Sequence, residues 1–314
     1  MTIATASADR SAPIDRLALG AALVTVVLWA SAFVGIRALA EDMSPGALAL
    51  GRLAVGSLAL TIIVVLRRPA MPPRGTLPLI VAVGILWFGG YNLALNAAER
   101  EVDAGTAAML VNIGPILIAV FGGLFLGEGF PARLFAGSLV AFVGAAIIGL
   151  ATSGSTSAGD ATLGIVLCLV AALAYAIGVT LQKPAVATTP ALTVTWLSCL
   201  VGVVACLPFA PELASDLGSA PPSATAWLVY LGLFPTALAF TTWAYALGRT
   251  TAGRLGSTTY LVPAVAIVLG WILLGEAPAP LAIAGGAVAI AGVVIARWAP
   301  GRRTSVPEPV PRQA

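Results

Sequence analysis

Histidine is absent from all 314 residues. The commonest metal ligand and the usual general base near neutral pH are absent with it. Charge is scarce too, at 9% of residues, against about 25% in a soluble domain. So few charges could not cover the surface of a soluble protein of this size. The three cysteines, Cys168, Cys199 and Cys206, all fall inside apolar runs. That is neither a disulfide framework nor metal spacing. The net charge is only +3, with the basic residues scattered through short joints, so nothing marks a nucleic-acid partner. Neither a metal nor a cofactor is implied, and a reaction centre of the usual hydrolytic kind has no base to draw on.

What is abundant is apolar: 59% of the chain. Apolar runs fall at 17–37, 45–66, 76–98, 104–127, 132–151, 161–182, 190–210, 224–247, 254–275 and 280–299. Each is close to the ~20 residues a membrane-spanning helix needs. The expected fold is an all-α polytopic membrane protein with ten transmembrane helices, the bilayer being its first partner. The first run is long enough to cross and no small-residue cleavage site closes it, so it reads as an uncleaved helix rather than a signal peptide.

One stretch occurs twice. Ala104 to Glu128 (AGTAAMLVNIGPILIAVFGGLFLGE) aligns without a gap to Ala252 to Glu276 (AGRLGSTTYLVPAVAIVLGWILLGE), 148 positions later. Gly105/Gly253, Pro115/Pro263, Gly122/Gly270 and the closing Leu-Gly-Glu are identical. Gly84/Gly232, Gly137/Gly285 and Gly144/Gly292 keep the same register. The expected organisation is a cytoplasmic N-terminal tail at 1–16, a first five-helix repeat at 17–151, a linker at 152–160, a second repeat at 161–299 and a cytoplasmic C-terminal tail at 300–314. The C-terminal tail, rich in Pro and Arg, is expected to be disordered. Five is odd, so the second repeat enters the membrane from the opposite side. Inverted repeats with a Pro-interrupted helix at matching places are a pointer to a transporter working by alternating access.

The basic residues orient the chain. With the N-terminus inside, the cytoplasmic segments hold Arg10, Arg16, Arg67, Arg68, Arg74, Arg133, Lys183, Arg249, Arg254, Arg297, Arg302, Arg303 and Arg312, and the outer ones only Arg37 and Arg100. That bias places both termini in the cytoplasm.

Ionisable groups within a membrane are functional candidates by default. Arg52 is the one cation well within a run and not at its end. It reads either as a partner for a substrate carboxylate or as an arginine that snorkels outward or ties down carbonyls, and the sequence favours the second. Every Asp and Glu falls in a joint or at a helix end. The neutral candidates for a substrate cavity are Trp29, Ser31, Trp87, Tyr91, Asn92, Asn96, Asn112, Tyr175, Trp243 and Tyr260. Amides and hydroxyls cannot face lipid unpaired, so each lines a wet space or bonds a neighbouring helix. For Trp87, Tyr91 and Tyr260 together the cavity is favoured. Pro115 and Pro263 each free a carbonyl one turn earlier and are hinge candidates, with a static kink as the plain alternative. Glu128 and Glu276 precede helices five and ten, where a carboxylate suits the positive helix N-terminus; a gating salt bridge is the minority reading. The Gly137/Gly144 and Gly285/Gly292 faces would let helices five and ten pack closely, on each other or in a homodimer.

Several motifs resemble the EamA family of the drug/metabolite transporter (DMT) superfamily. They are Trp29-Ala-Ser-Ala-Phe33, Pro45 with Arg52, Asn96-Ala-Ala, the two Pro…Leu-Gly-Glu segments, Tyr175-Ala and Gly232-Leu-Phe-Pro-Thr-Ala237. The resemblance covers about residues 17–299. It implies two inverted EamA repeats, a central cavity formed mainly by helices one, three, four, six, eight and nine, and export of amino acids, related metabolites or toxic analogues across the bacterial inner membrane. A single cavity cation argues against phosphorylated sugars or sugar nucleotides. The expected function is therefore a secondary transporter exporting small neutral or zwitterionic metabolites, amino acids or their analogues first. The alternatives are an exporter of other drugs or metabolites and a non-transporting scaffold. An intramembrane lipid enzyme would need a nucleophile–base pair or metal set that the chain does not offer.

The orientation is tested with reporter fusions. A fusion after Pro73 is expected to report a cytoplasmic location and one after Val102 an external one; the reverse pattern would overturn the inside–outside assignment.

Overall fold

The computed structural model describes residues 15–39, 42–101, 107, 110–152, 161–274 and 280–297. The regular structure in them is helical throughout, with no strand. We label the helices α1 (Arg16–Leu39), α2 (Pro45–Arg67), α3 (Arg74–Glu101), α4 (Gly114–Phe125), α5 (Ala132–Thr152), α6 (Ala161–Thr188), α7 (Ala191–Ser219), α8 (Pro222–Leu247), α9 (252–274) and α10 (Pro280–Arg297). Eight of them are long and apolar enough to cross a membrane among the described residues; α4 is described over only 12 residues, and α9 is interrupted within its span. The linker, most of the N-terminal tail, the C-terminal tail and Glu276 lie outside the described residues.

Local chemistry sets the boundaries. Ser44 caps α2, its Oγ accepting from the Ala47 N–H at 3.3 Å, and Pro45 follows in the first turn, where its missing N–H costs nothing. Thr251 caps α9 in the same way through the Arg254 N–H. The stretch 211–223, expected as a joint, is mostly helical: after a 3-10 turn at Leu207–Phe209 the chain continues as Ala210–Ser219. The Ser44 N–H donates to Asp216 and the Ser44 hydroxyl to Glu212. That short helix therefore places two carboxylates at the positive N-terminus of α2. α6 runs on past Pro184 to Thr188, several residues beyond the expected apolar run.

The contacts map onto themselves when the halves are exchanged. α1 packs on α8 and α9, as α6 packs on α3 and α4; α2 packs on α8, as α7 packs on α3; and α2–α7, α4–α9 and α5–α10 pair with each other. Every one of these equivalent pairs runs antiparallel. Gly137 faces Ala296, Gly144 faces Ala289 and Ile148 faces Gly285. Ile118 meets Gly256 while Gly122 nears Ala252; Leu53 meets Cys199 while Thr61 bonds Trp196. Equivalent helices that point in opposite directions make the repeat an inverted one.

The α5–α10 contact is backbone against backbone. A Cβ on Gly144 would lie 2.7 Å from the Gly285 carbonyl oxygen, and one on Gly292 would strike the backbone of Ala141. The glycine faces are thus spent on each other, inside one chain, through the close approach that small residues allow between membrane helices. Gly144→Leu is expected to cost roughly 1–3 kcal/mol through overpacking, read as a lower thermal midpoint in detergent. Gly20→Leu, where nothing lies within 4 Å, is expected to be silent.

Candidate functional site

Two stretches in the middle of the bundle leave α-helical geometry at matching positions. Gly84–Tyr91 in α3 and Gly232–Leu238 in α8 are π-helical, and their first residues are 148 apart, the repeat offset. Such widened turns are frequent at functional sites. They went unrecognised in the sequence, although Gly84/Gly232, the Gly89-Gly90 pair and Pro235 were its local signals. Side chains heal the backbone there. The Asn92 Nδ2 donates to the Phe88 carbonyl at 2.8 Å. Pro235 has no N–H for Leu231 O, and the Thr236 hydroxyl donates to that oxygen at 2.8 Å instead.

The regularity of α4 and α9 also breaks in register. A turn at Asn112–Ile113 precedes Pro115, and a 3-10 stretch at Ser257–Tyr260 precedes Pro263. Pro115 frees the Val111 carbonyl just ahead of the first break, and Pro263 frees the Thr259 carbonyl inside the second. Within the second break, the Thr258 and Thr259 hydroxyls donate to the carbonyls of Leu255 and Gly256.

Between the breaks lies a continuous set of rings. Trp29 of α1 sits 5.1 Å from Trp243 and 5.4 Å from Phe240 of α8. Trp87 of α3 sits 4.9 Å from Phe240 and 5.4 Å from Tyr175 of α6. Tyr91 reaches Tyr175 at 6.0 Å. Gly178 admits Trp87 to the face of α6, where a Cβ would meet the Trp87 side chain at 2.6 Å. Helices one, three, six and eight thus bring five of the predicted residues (Trp29, Trp87, Tyr91, Tyr175 and Trp243) into one cluster. Phe88 and Phe240, 4.3 Å apart, complete it; without a polar atom they had drawn no notice in the sequence.

The other predicted residues lie around or away from this cluster. Ser31 is turned off it, bonding the Tyr230 hydroxyl at 2.7 Å. Asn112 is half-buried at the α4 break. Pro115 and Pro263 are both buried. The Tyr260 ring packs on Ala141, Ala145 and Val293 of α5 and α10, not among the tryptophans. Asn96 donates through Nδ2 to the Pro45 carbonyl at 3.1 Å. Arg52 does not snorkel: it is 5% exposed, and its Nε donates to the Thr236 hydroxyl oxygen at 3.1 Å.

Among the described residues, several buried polar atoms have no hydrogen-bond partner: Trp243 Nε1, Tyr175 Oη, Tyr260 Oη, Asn96 Oδ1 and both amide atoms of Gln182. The Tyr175 hydroxyl lies by Thr259 without closing a bond of good geometry. Gln182 sits on the Tyr175 face of α6, two turns on. Each such orphan costs of the order of 1–3 kcal/mol, and Tyr175 and Trp243 carry theirs within the ring cluster itself. An open cleft of about 440 Å³ lies elsewhere, at the ends of α6 and α8, beside Arg249.

One end of the site is tied shut. Glu128 accepts from the Ala252 N–H at 2.6 Å and from the Gly253 N–H at 3.1 Å. It therefore caps α9 of the other repeat, not α5 as its place in the sequence suggests. Gly127 and Gly129, with φ of 68° and 71°, fold the chain back so that the carboxylate can reach across. Lys183 donates to the carbonyls of Leu247 at 2.7 Å and Thr250 at 2.6 Å, holding the C-terminal end of α8. An anion on the N-terminus of α9 and a cation on the C-terminus of α8 both match the helix dipoles. Together they clamp the turn between these helices.

The fold and the site define a multi-pass membrane protein of two inverted helical repeats around a polar-aromatic core. The profile of the EamA-like transporter family matches residues 16–150 and again 162–298, and the chain belongs to that family. It is 38% identical over 293 residues to the "Probable terminal-alkyne amino-acid exporter" of Streptantibioticus cattleyicolor, covering 93% of this chain and 97% of that one. It is 35% identical to the "Uncharacterized transporter YdfC" of Bacillus subtilis, covering 85% and 86%. Identity falls to 26% with the "Probable amino-acid metabolite efflux pump" of Salmonella typhimurium, covering 87% and 92%. A solved crystal structure superposes with a TM-score of 0.75 over 89% of this chain and 96% of the other at 21% identity, a likeness of fold.

Glu128→Ala removes both bonds to α9 and is expected to lower stability by about 1–2 kcal/mol. Glu128→Gln, which keeps one acceptor, is expected to lie between. Thermal unfolding of the purified protein, followed by tryptophan fluorescence, measures both; equal midpoints for all three proteins would contradict the cap.

Proposed function

We propose that this transporter exports small zwitterionic solutes, amino acids with short apolar side chains first among them, across the bacterial inner membrane. The observation that carries the reading is the buried ring cluster bordered by partnerless polar atoms. A ring-lined space accepts an apolar side chain, and the orphan donors and acceptors accept a charged or polar head. A non-transporting scaffold would have no reason to leave Gln182, Asn96 and Trp243 unsatisfied. The names of the Streptantibioticus and Salmonella relatives support the same class, and a terminal-alkyne amino acid is a fitting cargo for walls of aromatic carbon.

In this reading the five-helix units at 17–151 and 161–299 move against each other by alternating access. The breaks before Pro115 and Pro263 serve as hinges. The Glu128–α9 and Lys183–α8 contacts close the cytoplasmic end, and both termini lie in the cytoplasm. Proton coupling would need a carboxylate titrating within the ring cluster, and the rings there carry none. Exchange or facilitated diffusion needs none and is the mode proposed.

Counterflow of labelled amino acids into proteoliposomes, with L-propargylglycine in the panel and with and without a pH gradient, tests this. Uptake of short apolar amino acids that is insensitive to the gradient is expected. Absence of flux for every amino acid in the panel would overturn the reading.

A further inference from the structure

The Arg52 guanidinium is buried in the core and engaged through one nitrogen. Its Nε is committed to Thr236, and among the described residues its Nη atoms meet no acceptor and no carboxylate closes an ion pair with it. Tyr91, Cys199 and Glu99 are the titratable groups within its electrostatic reach. The Cys199 thiol points to the Leu53 carbonyl instead, and Glu99 has interactions of its own. A buried, unpaired cation is among the costliest features a protein can hold, and a membrane interior raises that cost.

The surroundings fix this cation in place. Thr236 spends its hydroxyl hydrogen on the Leu231 carbonyl, so only its lone pairs face Arg52. Gly232 lets α8 approach until a Cβ would lie 2.9 Å from the Arg52 carbonyl oxygen. Thr236 belongs to one π-helical stretch and bonds this arginine, and Tyr91 closes the other stretch within its electrostatic reach. Along α2, Pro45 and Arg52 are two turns apart on one face. Asn96 grips the Pro45 carbonyl through Nδ2, which settles its amide orientation and leaves Oδ1 as a buried acceptor with no donor.

We propose, resting on the export reading above, that Arg52 is the carboxylate anchor of the transported solute. Asn96 Oδ1 is the acceptor for its ammonium group, and Thr236 is a positioning residue that aims the guanidinium. The α-carboxylate binds the free Nη donors, and the side chain extends past Tyr91 into the rings. The substrate class then narrows to solutes with a free carboxylate. An amide of the same amino acid is excluded, because it offers Arg52 a neutral acceptor and leaves the cation unpaired.

The test uses the purified full-length protein and two probes, L-propargylglycine and its carboxamide. It has two readouts: proteoliposome flux and thermal stabilisation in detergent. In the wild type the acid is expected to be preferred by roughly 10- to 100-fold. Arg52→Gln is expected to raise KM for the acid by that factor and leave the amide unchanged. Arg52→Lys, which keeps the charge without the fork, is expected to lie between, and Thr236→Val to raise KM with Vmax kept. The proposal is overturned if Arg52→Gln weakens acid and amide equally, or if any folded variant of Arg52 keeps the full preference. Should Arg52→Gln fail to fold, Arg52→Lys and Thr236→Val decide on the same criteria. Acid-specific, Arg52-dependent stabilisation without flux would sustain the anchor and sink export; no stabilisation and no flux would sink both.

Discussion

Hydrocarbon offers no hydrogen bonds, and the rest of this structure follows from that constraint. Every backbone polar group within the membrane must be satisfied by the chain itself. Regular helix does so without help, and most of the protein is regular helix. Where the helix is broken, at the two π-helical stretches and ahead of Pro115 and Pro263, something else must fill in. Thr236 takes the oxygen that Pro235 abandons, Asn92 takes Phe88 O, and Thr258 and Thr259 bond back along the 3-10 stretch. These repairs gather in one place, in the interior between the repeats. Irregular backbone is tolerated at membrane depth only where protein or water covers it. The breaks therefore lie where protein covers them, around the candidate site.

The duplicated architecture gives those breaks their arrangement. The α4 and α9 breaks lie on helices that pack antiparallel on each other, and the α3 and α8 breaks adjoin the ring cluster. Fixed and adjustable contacts divide accordingly. The α5–α10 seam, glycine on backbone, has no slack and acts as a rigid spine. The Glu128 and Lys183 clamps are a few charge-assisted bonds at one end of the bundle and can be exchanged for water. A close-packed seam beside ties of this kind is compatible with the motion proposed above.

Much of this was legible before any coordinates. Spans, repeat and register follow from hydropathy and identical residues 148 apart, because lipid imposes one length and one pattern on every crossing. Proline positions located the breaks in α4 and α9, since a missing N–H acts on its own helix wherever that helix lies. The π-helical stretches were harder to see. Glycine is common here, and the close helix approaches beside them arise where Gly84 meets Ser198 and Val201 of α7 and where Gly232 meets Arg52 and Val55 of α2. Glu128 shows the same limit: its neighbours in sequence point to α5, and its partners lie 124 and 125 residues away.

By itself, then, the sequence determined an all-helical, duplicated, membrane-spanning chain, because burial of backbone in lipid is a local requirement that composition and periodicity record. Only the tertiary structure decided which polar groups are spoken for and which stand open. Ser31, Asn92, Asn96 and Arg52 look alike as isolated polar residues in apolar runs. Their hydrogen bonds separate them: Ser31 to Tyr230, Asn92 to its own helix, Asn96 half engaged, Arg52 held by one nitrogen. A hydrogen bond across helices depends on two residues far apart in the chain coming within about 3 Å, and no local pattern encodes that distance.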